Sequence, residues 1–318
     1  MRIIIYISLL FLSLTGFIYG QGAPLSTQFM FNKLAYNPAY AGSQEYTELT
    51  GIVRSQWVGF PGAPKTQQLS ANIPLLDQRL GLGLTAMNHS IGITEYQTLE
   101  GSYSYRIRTN EHGYLGLGLQ SSYRRYSLDF NNDNLIAIDG ISIDPNIVNG
   151  SLNANSINFG GGIYLVQGDF YLGISIPRFS DTDLPLGNSD LNISEQRVFY
   201  AMTGIKRRLN QQWSITPQLL IRYVENLPWD MDANVTLTYD EFFSIGASYR
   251  HGGDRNSLGE SLDLIVSVHI NDSLMLGAAY DYNLTDLGRQ SSGSFEGVVR
   301  YRIGAERGKI IDINPRYF

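Results

Sequence analysis

Gly113–Ser127 reads GYLGLGLQSSYRRYS. Taken alternately, Leu115, Leu117, Leu119, Ser121 and Tyr123 fall on one face, and Gly116, Gly118, Gln120, Ser122 and Arg124 on the other. Side chains alternate across a strand, so this stretch predicts a strand with one greasy face and one wet face. The same pattern recurs downstream. Phe243, Ile245, Ala247 and Tyr249 oppose Ser244, Gly246, Ser248 and Arg250. Leu262, Leu264, Val266 and Val268 oppose Ser261, Asp263, Ser267 and His269. Leu274, Leu276, Ala278, Tyr280 and Tyr282 oppose Gly277, Asp281 and Asn283.

The chain has 318 residues, with 33 Gly, 21 Tyr and 14 Phe against 11 Pro. Beyond the N-terminus, no window is apolar over the ~18 residues that a membrane helix needs. This mixture suits a protein without a solid apolar core, although a soluble two-sheet sandwich alternates similarly. The formal charge of −6 argues against nucleic acid, which requires a basic surface. The absence of Cys excludes disulfides and thiolate metal sites.

Fourteen strands are expected, near 48–56, 65–73, 79–89, 96–108, 112–127, 154–166, 169–178, 197–208, 211–224, 230–239, 242–251, 260–270, 273–284 and 294–306. Links after the even strands are brief: Pro74–Gln78, Thr109–Glu111, Gly168, Asn210, Asp240–Glu241 and Asn271–Asp272. Most links after odd strands are longer: Val58–Pro64, Leu128–Asn153, Phe179–Gln196, Gly252–Gly259 and Thr285–Gly293. Those after the third and ninth strands are short. This segregation is expected of an outer-membrane barrel whose short turns and termini are periplasmic. A sandwich has no reason to sort loop lengths by parity.

The fold class expected is therefore all-β, a closed antiparallel transmembrane β-barrel of 14 strands with both termini periplasmic. Lipid cannot hydrogen-bond a free sheet edge, so the sheet must close. Charges belong inside, because Arg facing lipid at mid-depth costs ~2–4 kcal/mol. The luminal set comprises Glu100, Arg106, Arg222, Arg250, Asp263, Asp281, Glu296, Arg300 and Arg302. Side chains alone do not fill a lumen of this width, which leaves room for residues 21–46 or an inward-folded loop. Aromatics fall toward both rims: Tyr114, Phe170, Tyr171, Trp213, Tyr239, Phe242, Phe243 and Tyr301 at one, and Tyr123, Tyr126, Phe199, Tyr200, Tyr249, Tyr280 and Tyr282 at the other. Two such belts suit a barrel at the headgroups.

Little points to chemistry. His89, His112, His251 and His269 lie near strand ends without shared spacing. His89 and Ser90 are neighbours and so point to opposite faces, unlike a nucleophile and its base. Asp129-x-Asn131-x-Asp133 echoes a calcium loop, but Gly140 stands where the bidentate Glu belongs, so a solvated loop is the better reading. No metal or cofactor is expected. Trp57, Phe60 and Pro61 form an apolar, stiffened loop. It reads as a partner surface or a plug, in competition with a brace folded against the barrel. The candidate partner-binding residues of the outer loops are Trp57, Phe60, Pro61, Asp129, Asn131 and Asp133.

Met1–Gly20 reads as a secretory signal: Arg2, an apolar run Ile3–Phe17, and Gly20 before Gln21. Residues 21–46 then form a periplasmic pre-barrel segment, and 47–318 the barrel. The opening TQFMFNKLAYNPAYAGS (Thr27–Ser43), RSQWVGFPGAPKT (Arg54–Thr66) and the terminal NPRYF (Asn314–Phe318) together resemble the PorP/SprF family. Those are outer-membrane proteins of the type IX secretion and gliding machinery of Bacteroidetes. The terminal phrase has Asn where the family has Ser.

The resemblance implies an outer-membrane location in a Gram-negative, Bacteroidetes-type bacterium. It implies a docking barrel with no reaction and no cofactor. Its partners would be a secreted cargo or adhesin, held by its C-terminal domain, and periplasmic or outer-membrane components of the secretion system, with lipid around the wall. The rival class is a fatty-acid-transporter-like barrel for hydrophobic small molecules. Residues 21–46 are short for the N-terminal hatch of such a transporter.

Overall fold

In a computed structural model, the structure describes residues 24, 26–76, 78–130, 150–186, 192–252, 259–285 and 291–304. The strands of the main sheet are β1 (Thr47–Ser55), β2 (Lys65–Leu75), β3 (Leu80–Ile91), β4 (Thr94–Asn110), β5 (Gly113–Asp129), β6 (Ser151–Gln167) and β7 (Phe170–Ile176). They continue with β8 (Val198–Ile205), β9 (Trp213–Val224), β10 (Asp230–Tyr239), β11 (Phe243–His251), β12 (Ser261–His269), β13 (Leu274–Asn283) and β14 (Ser294–Ile303). Arg207–Arg208 prolongs β8 against β9. Every strand pairs antiparallel with its sequence neighbours, and β1 pairs with β14 from Thr47↔Ile303 to Ser55↔Phe295. The sheet is thus a closed ring of fourteen strands, as the alternation predicts.

Parity decides which side chains leave the ring. In β5, Leu117, Leu119 and Tyr123 are exposed, whereas Gln120, Ser122 and Arg124 are buried. In β12, Leu262 and Leu264 are exposed, and Ser261, Asp263 and Ser267 are buried. On these strands the buried side chains are thus largely polar and the exposed ones largely apolar, the reverse of a soluble core. No helix among the described residues is long and apolar enough to cross a membrane, and the crossing is made by strands.

Two elements occupy the interior. Residues 26–43 lie inside the ring as three single 3₁₀ turns, Phe29–Phe31, Lys33–Ala35 and Pro38–Tyr40. The Asn37 side chain accepts from Ala39 N at 2.9 Å and caps the last turn, with Pro38 in the first helical position. Asn37 Nδ2 donates to Ile163 O of β6 at 2.9 Å, Ser104 Oγ of β4 to Ala41 O at 2.6 Å, and Gly42 N to Asn72 Oδ1 of β2 at 2.5 Å. A short hairpin, Thr182–Pro185 with Asn192–Glu195, pairs only with itself. It turns inward and buries Leu184 and Leu186 with Tyr96, Tyr126 and Ala154.

Three expectations change. Tyr114, Tyr126, Tyr171 and Tyr200 are buried inside and do not belong to the belts. They share inward parity with polar neighbours, and they pack on residues of the inner elements: Tyr36 meets Tyr200 edge-on at 5.4 Å. The seventh strand stops at Ile176, because Pro177 has no N–H to extend the ladder. The link Phe179–Gln196 is not a purely outer loop, since its hairpin enters the lumen.

Candidate functional site

Most of the luminal charges fall into separate clusters that join arginines to carboxylates. In the first, Arg54 of β1 reaches Asp281 of β13 at 2.6 Å and Glu296 of β14 at 3.1 Å. Arg250 of β11 reaches Asp232 of β10 at 2.7 Å and Asp281 at 3.8 Å. The inner segment completes this cluster. Glu296 accepts from Ser26 Oγ at 2.7 Å, Thr27 N at 3.0 Å and Gln28 N at 2.9 Å. Thr27 Oγ1 donates to Asp281 at 2.8 Å. The barrel's own carboxylates therefore hold the start of the plug. A buried charge needs such partners, and losing one costs ~3–5 kcal/mol.

The second cluster clamps the hairpin. Glu195 receives Arg124 at 2.8 Å, Arg178 at 3.4 Å and Ser156 Oγ at 2.8 Å. Arg178 also reaches Glu100 at 3.6 Å. A third cluster joins Glu48 to Arg300 at 3.4 Å and Arg302 at 4.0 Å. Separately, Arg222 bonds Asp230 through Nε at 2.6 Å. Arg106 lies over the Tyr114 ring at 5.3 Å. Asp263 is buried and directly opposite Asp281 across β12 and β13.

All the named luminal charges thus point inward, but the structure divides them. Alternation extends the luminal set to four residues beyond those named: Glu48 and Arg54 share inward parity in β1, and Asp230 and Asp232 share it in β10. Glu195 lies on the seventh link, where no periodicity speaks for it, and Arg178, the last residue of the expected seventh strand, falls beyond Pro177, where the strand has already stopped.

Between plug and wall lies a cavity of about 60 Å³, lined by Tyr36, Arg54, Glu100, Arg124, Arg178 and Glu296, among others. A few waters fit such a space, whereas ~150 Å³ of apolar cavity is what accommodates benzene.

The outer-loop residues stand apart from these clusters. Trp57 adopts φ 46°, a left-handed conformation that a bulky residue keeps only under constraint. Its N donates to Ser294 Oγ at 3.3 Å and its O accepts from Phe60 N at 3.0 Å. Val58 exchanges backbone bonds with Gly293 and Ser292. Phe60 is 41% exposed and Pro61 is exposed. Asp129 ends β5, with its N–H on Ile93 O at 2.9 Å. Asn131 and Asp133 lie outside the described residues. Among the histidines, His89 Nδ1 lies 2.8 Å from Thr66 Oγ1 and its ring packs on Tyr96.

Plug and wall fit through small inner residues. A Cβ on Gly118 would meet the backbone of Ala39. Gly118→Val should therefore expel the plug: residues 24–46 become protease-sensitive and the barrel conducts ions in a planar bilayer, while outward Leu117→Val does neither. Lys33 adds a pH dependence. It is buried, with Nζ 3.9 Å from the Tyr171 ring centroid. Burial, then the charge of Arg300, pushes its ammonium from 10.5 down to about 7. The undocked segment thus binds more protons between these values, so docking tightens as pH rises from 7 and is unchanged by further acidification below it. Amide exchange across residues 26–43 should slow from pH 7 to 9 after correction for intrinsic rates. Lys33→Met should abolish that change, and pH-independent exchange in the wild type would contradict it.

Comparison with known proteins agrees with this architecture. The PorP/SprF family, described as Type IX secretion system membrane protein PorP/SprF, matches residues 18–301. Among solved structures, the chain resembles the CymD monoaromatic hydrocarbon channel with a TM-score of 0.50 and 14% identity, covering 89% of this chain and 94% of that one. A Pseudomonas aeruginosa FadL homologue gives a TM-score of 0.45 and 13% identity over 88% and 94%. At such identities the likeness to CymD speaks for the fold alone. No curated protein matches the chain in sequence. The closed barrel with lipid-facing alternation and the match over most of the chain lead to one conclusion: this outer-membrane protein belongs to the PorP/SprF family of the type IX secretion system.

Proposed function

We propose that the barrel docks a secreted surface protein, adhesin-like, through that protein's C-terminal domain at its long-loop end. The end with short turns faces the periplasm and the secretion machinery. The role is non-catalytic. One observation favours this reading over solute transport: among the described residues the plug and the hairpin occupy the lumen, and the cavity of about 60 Å³ beside the plug mixes charged residues (Arg54, Glu100, Arg124, Arg178 and Glu296) with Ile52, Met87 and Tyr200. Such a space is smaller than the ~150 Å³ that accommodates benzene. The constrained loop with Trp57, Phe60 and Pro61 offers an exposed apolar contact at the long-loop end, suited to a protein partner.

In gentle detergent, the intact barrel should co-purify with a surface protein or with type IX components. Trp57→Ala combined with Phe60→Ala should lower cargo recovery about tenfold, as loss of an aromatic anchor does, with barrel assembly unchanged. Uptake of a small aromatic solute by the intact protein, without any protein partner, would replace docking with transport.

A further inference from the structure

The wall of the ring has a notch. Even-numbered residues of β6 bond to β5: Gly150 O accepts from Phe130 N, and Gly168 N donates to His112 O at the two ends of that ladder. Odd-numbered residues therefore face the other way, toward β7. From Gly161 to Gln167 they pair with β7. Phe159 O still accepts from Phe179 N at 2.8 Å, and Phe159 N donates to Asn158 Oδ1 at 2.9 Å. Above that, among the described residues, Ser151, Asn153, Asn155 and Ile157 have no backbone partner on this side. Each presents one N–H and one C=O.

This edge differs from the sheet edges that proteins ordinarily protect. Protected edges carry Lys, Pro or inward charges, or are covered. Ser151–Ile157 reads SLNANSI, with no charge and no Pro. Its depth also matters. Ile157 lies opposite Tyr123 of β5, and Asn155 opposite Arg125. Tyr123 is exposed on the outer face and Arg125 lies farther along β5; an aromatic belt at Tyr123 would set the free edge at and beyond the lipid surface, where water reaches it. The gap is one strand wide at its floor, because β7 fills that position between β6 and β8 until Pro177. A single extended strand fits there. A second barrel would bring an edge already backed by its own wall.

We propose that the docked polypeptide is held by strand addition: an uncharged, extended segment of its C-terminal domain pairs with the free edge of β6 from Ser151 to Ile157. Alternate residues of that segment would then lie beside Ile157 and Phe159, which are 70% and 63% exposed on the outer face. This rests on the docking reading and adds its mode and place.

The test uses the full-length barrel in detergent and the purified C-terminal domain of a surface protein secreted by the same cells. In the barrel alone, amides of Asn153, Asn155 and Ile157 should exchange about 100-fold faster than those of Ala154 and Ser156, which face β5. Adding the domain should slow the three edge amides about 100-fold. Asn153→Lys with Asn155→Lys should weaken binding of the domain about tenfold, since edge lysines oppose strand pairing. Glu225→Lys, exposed on the link between β9 and β10 at the same end, should leave binding unchanged. Edge amides already slow in the isolated barrel would mean that its own chain or a second copy covers the edge, and would overturn the proposal. Equal binding by the lysine variant, or binding without edge protection, would overturn strand addition and leave docking standing. No binding by the wild-type barrel would remove both.

Discussion

Hydrocarbon accepts no hydrogen bonds, and this single constraint orders the structure. Within the bilayer, each N–H and C=O must pair with protein, so the sheet closes through β1 and β14. Closure then divides every strand by parity. Leucines and aromatics go out, and Arg54, Arg124, Arg222 and Arg250 go in. Such charges would be isolated in a dry wall, and each of these four arginines meets a carboxylate from another strand or link. Arg54 meets Asp281 and Glu296 across the very seam that closes the ring.

A ring of fourteen strands is too wide for its own side chains to fill. The inner segment supplies the missing volume, and its polar start completes the charge clusters. Ser26, Thr27 and Gln28 all bond Glu296, while Phe29, Leu34 and Ala39 are almost wholly buried. The hairpin enters with Glu195 as its anchor. On the docking reading, a barrel filled in this way presents surfaces, and its working parts are the loops and edges at the rims.

The strands were legible because parity is dictated residue by residue. GYLGLGLQSSYRRYS shows it without help from anything distant. The width of the ring pointed to residues 21–46 or an inward-folded loop as its filling, but how residues 26–43 sit there was not legible, since TQFMFNKLAYNPAYAGS has no period and most of its contacts to the wall are long-range. Tyr114, Tyr126, Tyr171 and Tyr200 misled for a different reason. An aromatic near a strand end suits a headgroup belt and a plug contact equally, and only its parity separates the two. Glu195 sits on an aperiodic link and Arg178 beyond the stop of β7, so their inward turn depends on partners no local rule names. The notch beside β6 follows from where Pro177 stops β7, which shows in the strand pairing and not in β6 itself.

The central claim is that alternate residues of one strand see acyl chains and an enclosed polar lumen. It is tested most directly by placing a fluorophore or spin label singly at each position from Leu115 to Tyr123 and measuring quenching by brominated lipid and by a water-soluble agent. Lipid quenching should rise at Leu115, Leu117 and Leu119 and vanish at Gly116, Gly118 and Gln120. Equal lipid quenching on both faces, or none on either, would contradict the account.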